Sequence, residues 1–189
     1  LKGDLVAVIN PSQSAVDALV DRLSSSVDGL NVTYNSNAPA YGIPATLDIN
    51  FTELKSPNFI YGDVSLGDWE QTSARKYPLV AVYSSRVLNS NIEKFHTFSG
   101  PVVVGLTVYL TWKGGNVQRD FDFYAQAMEG AVLTIVNRSR SEFSDDQDWG
   151  AEVTYNGDVE LTKSSIVRGS HGWVQELRFL FTFQVDADI

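Results

Sequence analysis

The side chains able to do chemistry in this sequence are few and scattered. There are two histidines, His96 and His171, and no cysteine. Without a thiol, disulfides, thiolate metal sites and cysteine nucleophiles are excluded together. Two distant imidazoles do not make the closely spaced ligand set that zinc requires. A Ser-His-Asp hydrolase would place its serine on a Gly-x-Ser-x-Gly elbow, and none is present. Neither Gly-x-Gly-x-x-Gly nor Gly-x-x-x-x-Gly-Lys-Ser/Thr occurs, so no phosphate-binding loop is written in the chain. Asp145, Asp146 and Asp148, with Gly150 and Glu152 nearby, have the composition of a calcium loop. The spacing fails the alternating acids, central glycine and terminal glutamate that such a loop needs. Carboxylates are plentiful enough for an acid/base pair, but nothing selects one pair. These residues lead to the expectation of a non-enzymatic protein with no cofactor and no metal.

The four tryptophans, Trp69, Trp112, Trp149 and Trp173, are the other conspicuous groups. Large amphipathic rings of this kind cap core edges or anchor interfaces. The alternative is a binding module that presents the Trp-rich loops to a ligand or a partner's edge strand; an unrecognised hydrolase is a third reading.

Charge narrows the partners. The formal net charge is −9 and the pI is near 4.6, so the basic footprint that grips nucleic acid is missing. No run approaches the ~18 apolar residues that span a bilayer, and no basic-then-apolar leader is seen at the N-terminus. No membrane partner is expected, and the lack of cysteine suits a reducing cytoplasm. Asn-x-Ser/Thr sequons at Asn31, Asn50 and Asn137 are expected to be chance matches.

Periodicity supplies the elements that must position any site. Asn10 and Pro11 open a helix whose stripe is Val16, Leu19, Val20, Leu23 and Val27, with Gly29 as its stop. Residues 30–76 read as a long insertion. In it Leu47, Ile49 and Phe51 alternate like a strand, and 56–76 form an extended loop carrying Phe59, Tyr61 and Trp69. A buried strand is expected over 77–83 and a longer one over 100–112. A second helix over 120–136 buries Tyr124, Met128, Ala131, Val132 and Ile135. An acidic loop then leads to a β unit over 151–186. That unit has a turn or bulge at Asn156-Gly157, a hairpin turn at Gly169–Gly172, and a final strand pointing Leu177, Phe179, Phe181, Phe183 and Val185 inward. The fold class is therefore α+β: a helix-strand-strand-helix-strand-strand core, mainly antiparallel, with two helices packed on one face and a long β/loop insertion. A single domain over 1–189 is expected, with the insertion at about 30–76.

The order of these elements resembles one family. Asn10-Pro11-Ser12 opens a short amphipathic helix and Tyr77-Pro78-Leu79-Val80-Ala81-Val82-Tyr83 forms a strand. A long strand, a helix and a β-hairpin ending in Glu176-Leu177-Arg178-Phe179-Leu180-Phe181-Thr182-Phe183 follow. This texture resembles the tail-terminator proteins of long-tailed bacteriophages, and more loosely their neck or head-tail joining neighbours. The resemblance implies a virion protein, assembled in the host cytoplasm, that forms a homo-oligomeric ring, typically a hexamer. Such a ring ends polymerisation of the tail-tube protein, docks the head-tail connector proteins, and lets genomic DNA pass without sequence-specific binding. An acidic wall suits such a conduit, because like charge keeps DNA from adhering. Candidate channel or interface loops are Asp63, Asp68, Trp69 and Glu70, and Asp145, Asp146, Asp148 and Trp149.

Overall fold

The computed structural model describes residues 10–52, 56–71, 76–88, 97–112, 117–142, 149, 152–170 and 172–188. Helix α1 (Pro11–Ser24) is capped by Asn10, whose Oδ1 accepts from the backbone N–H groups of Ser12 (3.1 Å) and Gln13 (3.4 Å). It stops one turn before the apolar stripe does, so Val27 is 81% exposed instead of packed. The stop is made by Ser25, whose Oγ accepts from the N–H groups of Val27 and Asp28 and so competes with the helix ladder. Gly29 does not end α1. It opens a second helix, α2 (Leu30–Asn37), where a Cβ would lie 2.6 Å from the Leu23 carbonyl oxygen.

After a 3-10 turn (Ala38–Tyr41) the next elements are strand β1 (Phe59–Tyr61) and the one-turn helix α3 (Leu66–Glu70). The long elements follow: β2 (Leu79–Val87), β3 (Thr97–Trp112), α4 (Val117–Glu142), β4 (Val153–Lys163), β5 (Val167–Gly169) and β6 (Gly172–Asp188). The sheet order is β1-β2-β3-β6-β4, with β5 also pairing β6; only the β1–β2 pair is parallel. This is the expected mixed α+β fold, with α1 and α4 against one face of the sheet.

The inner face is built as the alternation requires. Val102, Val104, Leu106, Val108 and Leu110 of β3 lie opposite Phe183, Phe181, Phe179, Leu177 and Gln175 of β6, and directly opposed residues share a face. Above them sit Leu19 and Leu23 of α1 and Phe121, Met128, Val132 and Ile135 of α4. The segment expected to be an insertion is not an appendage. Leu30, Tyr34, Ile43, Leu47, Ile49, Phe51 and Phe59 all belong to this same core.

The 47–52 stretch alternates buried and wet residues as expected, but among the described residues it pairs with no strand. Its partner is a helix face. Asn35 donates from Nδ2 to the Leu47 carbonyl (2.8 Å) and accepts at Oδ1 from the Leu47 N–H (2.8 Å). Asn31 does the same for Ile49, at 2.9 and 2.8 Å. Four helical residues rise about 6 Å and two extended residues about 6.6 Å, so asparagines at i and i+4 meet backbone groups at j and j−2. On the other edge Asn58 donates to the Asp48 carbonyl (2.6 Å) and accepts from the Asn50 N–H (3.1 Å). Three amide side chains thus replace the missing sheet ladder.

The outer face, turned away from α1 and α4, divides in two. Near the β5–β6 end it is covered by the segment around α3, where Trp69 packs with Leu79, Tyr109 and Val174 in a second apolar cluster. The Tyr109 hydroxyl donates to the Val64 carbonyl (2.9 Å) and ties that cover down. Among the described residues nothing covers the other half of the outer face.

Candidate assembly surface

Two β-bulges shape the open half. On β2, Ser84 and Arg86 face the consecutive residues Val104 and Val103, so Ser85 is extra. On β4 the register slips between Tyr155 and Val159, and Gly157 takes φ 86°, a conformation that favours glycine. The Asn156-Gly157 signal is therefore a bulge and not a turn. The bulged strands wall an open groove of about 550 Å³. Its floor is Val103, Leu180 and Thr182; Arg86 stands on the β2 wall and Asp158 and Glu160 on the β4 wall. Val159 is exposed at its rim. Arg86, Asp158 and Glu160 have no ion-pair partner among the described residues.

At the N-terminal end of β6 lies the β5–β6 hairpin, closed between Gly169 and Gly172 as the glycines predict. Its tip exposes Val167, Arg168 and Trp173. The tip is held from behind: the Ser170 N–H donates to Glu70 Oε1 (2.9 Å), and Thr111 Oγ1 donates to the Trp173 carbonyl (3.1 Å).

The candidate loop residues fall in different places. Asp63 is exposed and faces Arg178 at 3.7 Å, within a small network that Glu176 completes (Arg178 Nε to Oε1, 3.0 Å). Asp68 is exposed and accepts from Ser65 Oγ (2.6 Å) at the start of α3. Glu70 braces the hairpin tip. Trp69 is only 1% exposed and Trp149 only 7%; the latter packs on Tyr155 and Phe183 with the Arg22 guanidinium 5.5 Å above its ring. Both indoles are core residues and neither offers a stacking platform. Asp145, Asp146, Asp148, His96 and His171 lie outside the described residues.

A second hollow, of about 200 Å³, opens between α2, α4 and the ends of β2 and β3. Tyr34, Tyr77, Trp112 and Tyr124 line it. Burial, and then the neighbouring Tyr124 phenol, push the Tyr34 hydroxyl far above the ordinary tyrosine range, so it stays neutral. Burial raises Tyr124 and Tyr77 as well. The hollow therefore carries aromatic faces and neutral hydroxyls, and among the described residues no carboxylate or amine lines it. Among the described residues no group of three or more metal-ligating side chains comes together, and no helix is long and apolar enough to cross a membrane.

The groove was not legible in the sequence. Arg86, Val103, Asp158, Glu160 and Leu180 come from four separate strands, and only sheet register brings them together. The one local sign was Asn156-Gly157, which marked a break in β4 without saying what it would shape.

No protein-family model matches this sequence, and no curated protein is similar to it.

Proposed function

We propose that this chain is a structural, non-catalytic subunit of a closed ring of identical copies, of the tail-terminator or neck type found at the head-proximal end of long bacteriophage tails. The observation that carries the reading is the one-sided build. Both long helices cover one face of the sheet, while on the other face, among the described residues, lies an open groove floored by Val103 and Leu180 with Val159 exposed on one wall. A concave surface with an apolar strip on its floor and charges on both walls is of the kind that receives a partner. The element order α1, β2, β3, α4, β4, β6 supports the same reading, because it is the order on which the resemblance rests.

In this role the ring would end tube polymerisation, join tail to head connector, and let DNA through. The net charge of −9 supports passage without adhesion. Light scattering on the purified protein and electron microscopy of particles test it. A ring of uniform size located at the tail–head junction is the expected result. A protein that stays monomeric at its solubility limit and is absent from particles would sink the proposal. DNA retention at low salt would remove the conduit role.

A further inference from the structure

We propose that the β5–β6 tip of one copy docks into the outer-face groove of the next, making the contact between neighbours head-to-tail; this rests on the ring reading above. The two surfaces lie on one unbroken strand. Leu180, in the groove, and Trp173, at the tip, are seven residues apart on β6, which is about 23 Å at the usual rise. A tip cannot fold back into its own groove, so the two can meet only between copies.

The surfaces also match. The tip offers Val167 (45% exposed) and Trp173 (38% exposed) around Arg168, a cation with no ion-pair partner among the described residues. The groove offers Val103 and Leu180 on its floor and, on one wall, the acids Asp158 and Glu160, which have no ion-pair partner among the described residues. On the facing wall Arg86 is free to meet Glu70, which sits beside the tip. In a chain of net charge −9 two copies repel in general. A bare arginine flanked by apolar groups therefore gains most where it meets an acidic wall. Edge-to-edge pairing of β4 is the competing mode, and the bulge at 156–158 interrupts the ladder it would need. Because groove and tip do not overlap, the contact is heterologous, and it closes into a ring or continues as a filament according to the rotation between copies.

The test uses full-length variants and light scattering. Arg168→Glu alone should convert the ring to monomer, and so should the pair Asp158→Lys with Glu160→Lys. In a mixture of the two variant proteins the native tip meets the native groove and the reversed tip meets the reversed groove with the charges swapped, so rings of alternating variants should form again. Unfolding midpoints close to wild type are expected, because all three residues are exposed. The chain has no cysteine, which allows a second measurement independent of folding margins. A chain carrying both Val167→Cys and Leu180→Cys should form a covalent ladder on oxidation, whereas either single variant should form none. Rings that survive both charge reversals, or covalent dimers from a single-cysteine chain, would overturn the docking and leave the ring reading standing. A monomeric wild-type protein would remove both.

Discussion

Replacing Asn35 with alanine should loosen the extended segment over 43–51 and lower stability by about 2–4 kcal/mol. The figure follows from what the side chain holds. Two hydrogen bonds of 2.8 Å are lost, both to the backbone of Leu47, each contributing ~1 kcal/mol net. The Leu47 N–H and C=O are then left without partners in a half-buried setting, at about 1 kcal/mol or more each. The loss is capped because the segment can detach instead, giving up the burial of Leu47 and Ile49, roughly 1.5–3 kcal/mol apiece. Detachment also makes the two asparagines cooperative. Asn31→Ala should cost a similar amount, and the double variant clearly less than the sum, since the second loss falls on a segment already freed. Urea unfolding gives the stability, and amide hydrogen exchange at Leu47 and Ile49 gives the local opening. Asn35→Asp is the informative control: it keeps an acceptor for the Leu47 N–H but turns a carboxylate toward the Leu47 carbonyl, so it should not rescue. A change under ~0.5 kcal/mol for Asn35→Ala, with exchange at Leu47 and Ile49 as slow as in wild type, would show that packing alone holds the segment and that the amide ladder is incidental.

Other outcomes are equally specific. Tyr34 and Tyr109 are raised well above the ordinary phenol value, in both cases first by burial. Their stabilisation is therefore complete below the unfolded pKa of about 10 and is lost as pH rises through the folded values, by up to ~1.4 kcal/mol per pH unit per group. Urea melts between pH 9 and pH 11 (roughly bracketing that pKa) should show the fall, and Tyr34→Phe with Tyr109→Phe should flatten it; an unchanged slope refutes the assignment. Gly105 lies under the Tyr83 ring, where a Cβ would sit 2.6 Å from a ring carbon. Gly105→Ala should cost about 1–3 kcal/mol, and a double-mutant cycle with Tyr83→Ala should recover most of it. Phe181, fully buried between β3, β4 and the helices, should lose about 3–5 kcal/mol on truncation to alanine, read by calorimetry.

How much was legible follows from how each element is stabilised. β3, β6 and α4 declared themselves because long runs with a period of 2 or 3.6 are what a half-buried strand or helix must show. α2 did not. It is eight residues long, is built after Leu30 of Asn, Val, Thr, Tyr and Ser with little intrinsic helix preference, and has no side-chain cap. It is helical because Leu30, Thr33 and Tyr34 pack on α4 and α1, and because its asparagines have a backbone to hold. The Asn31-x-x-x-Asn35 spacing and the Leu47-x-Ile49 alternation were both visible, but nothing local says that one reads the other. The candidate acids were ranked by composition, and the structure gave Glu70 a bracing role and Trp69 a core role that composition does not distinguish.

By itself the sequence determined the elements whose own periodicity encodes a buried face, the α+β class, the acidic surface and the absence of thiol chemistry. Only the tertiary structure decided which strands neighbour which, that the middle of the chain belongs to the core, and that a groove over the middle of β6 and an exposed hairpin tip at its start share one strand. The reason is physical: hydrophobic period is a property of a few consecutive residues, whereas register and the covering of a sheet face are settled by packing between segments far apart in the chain.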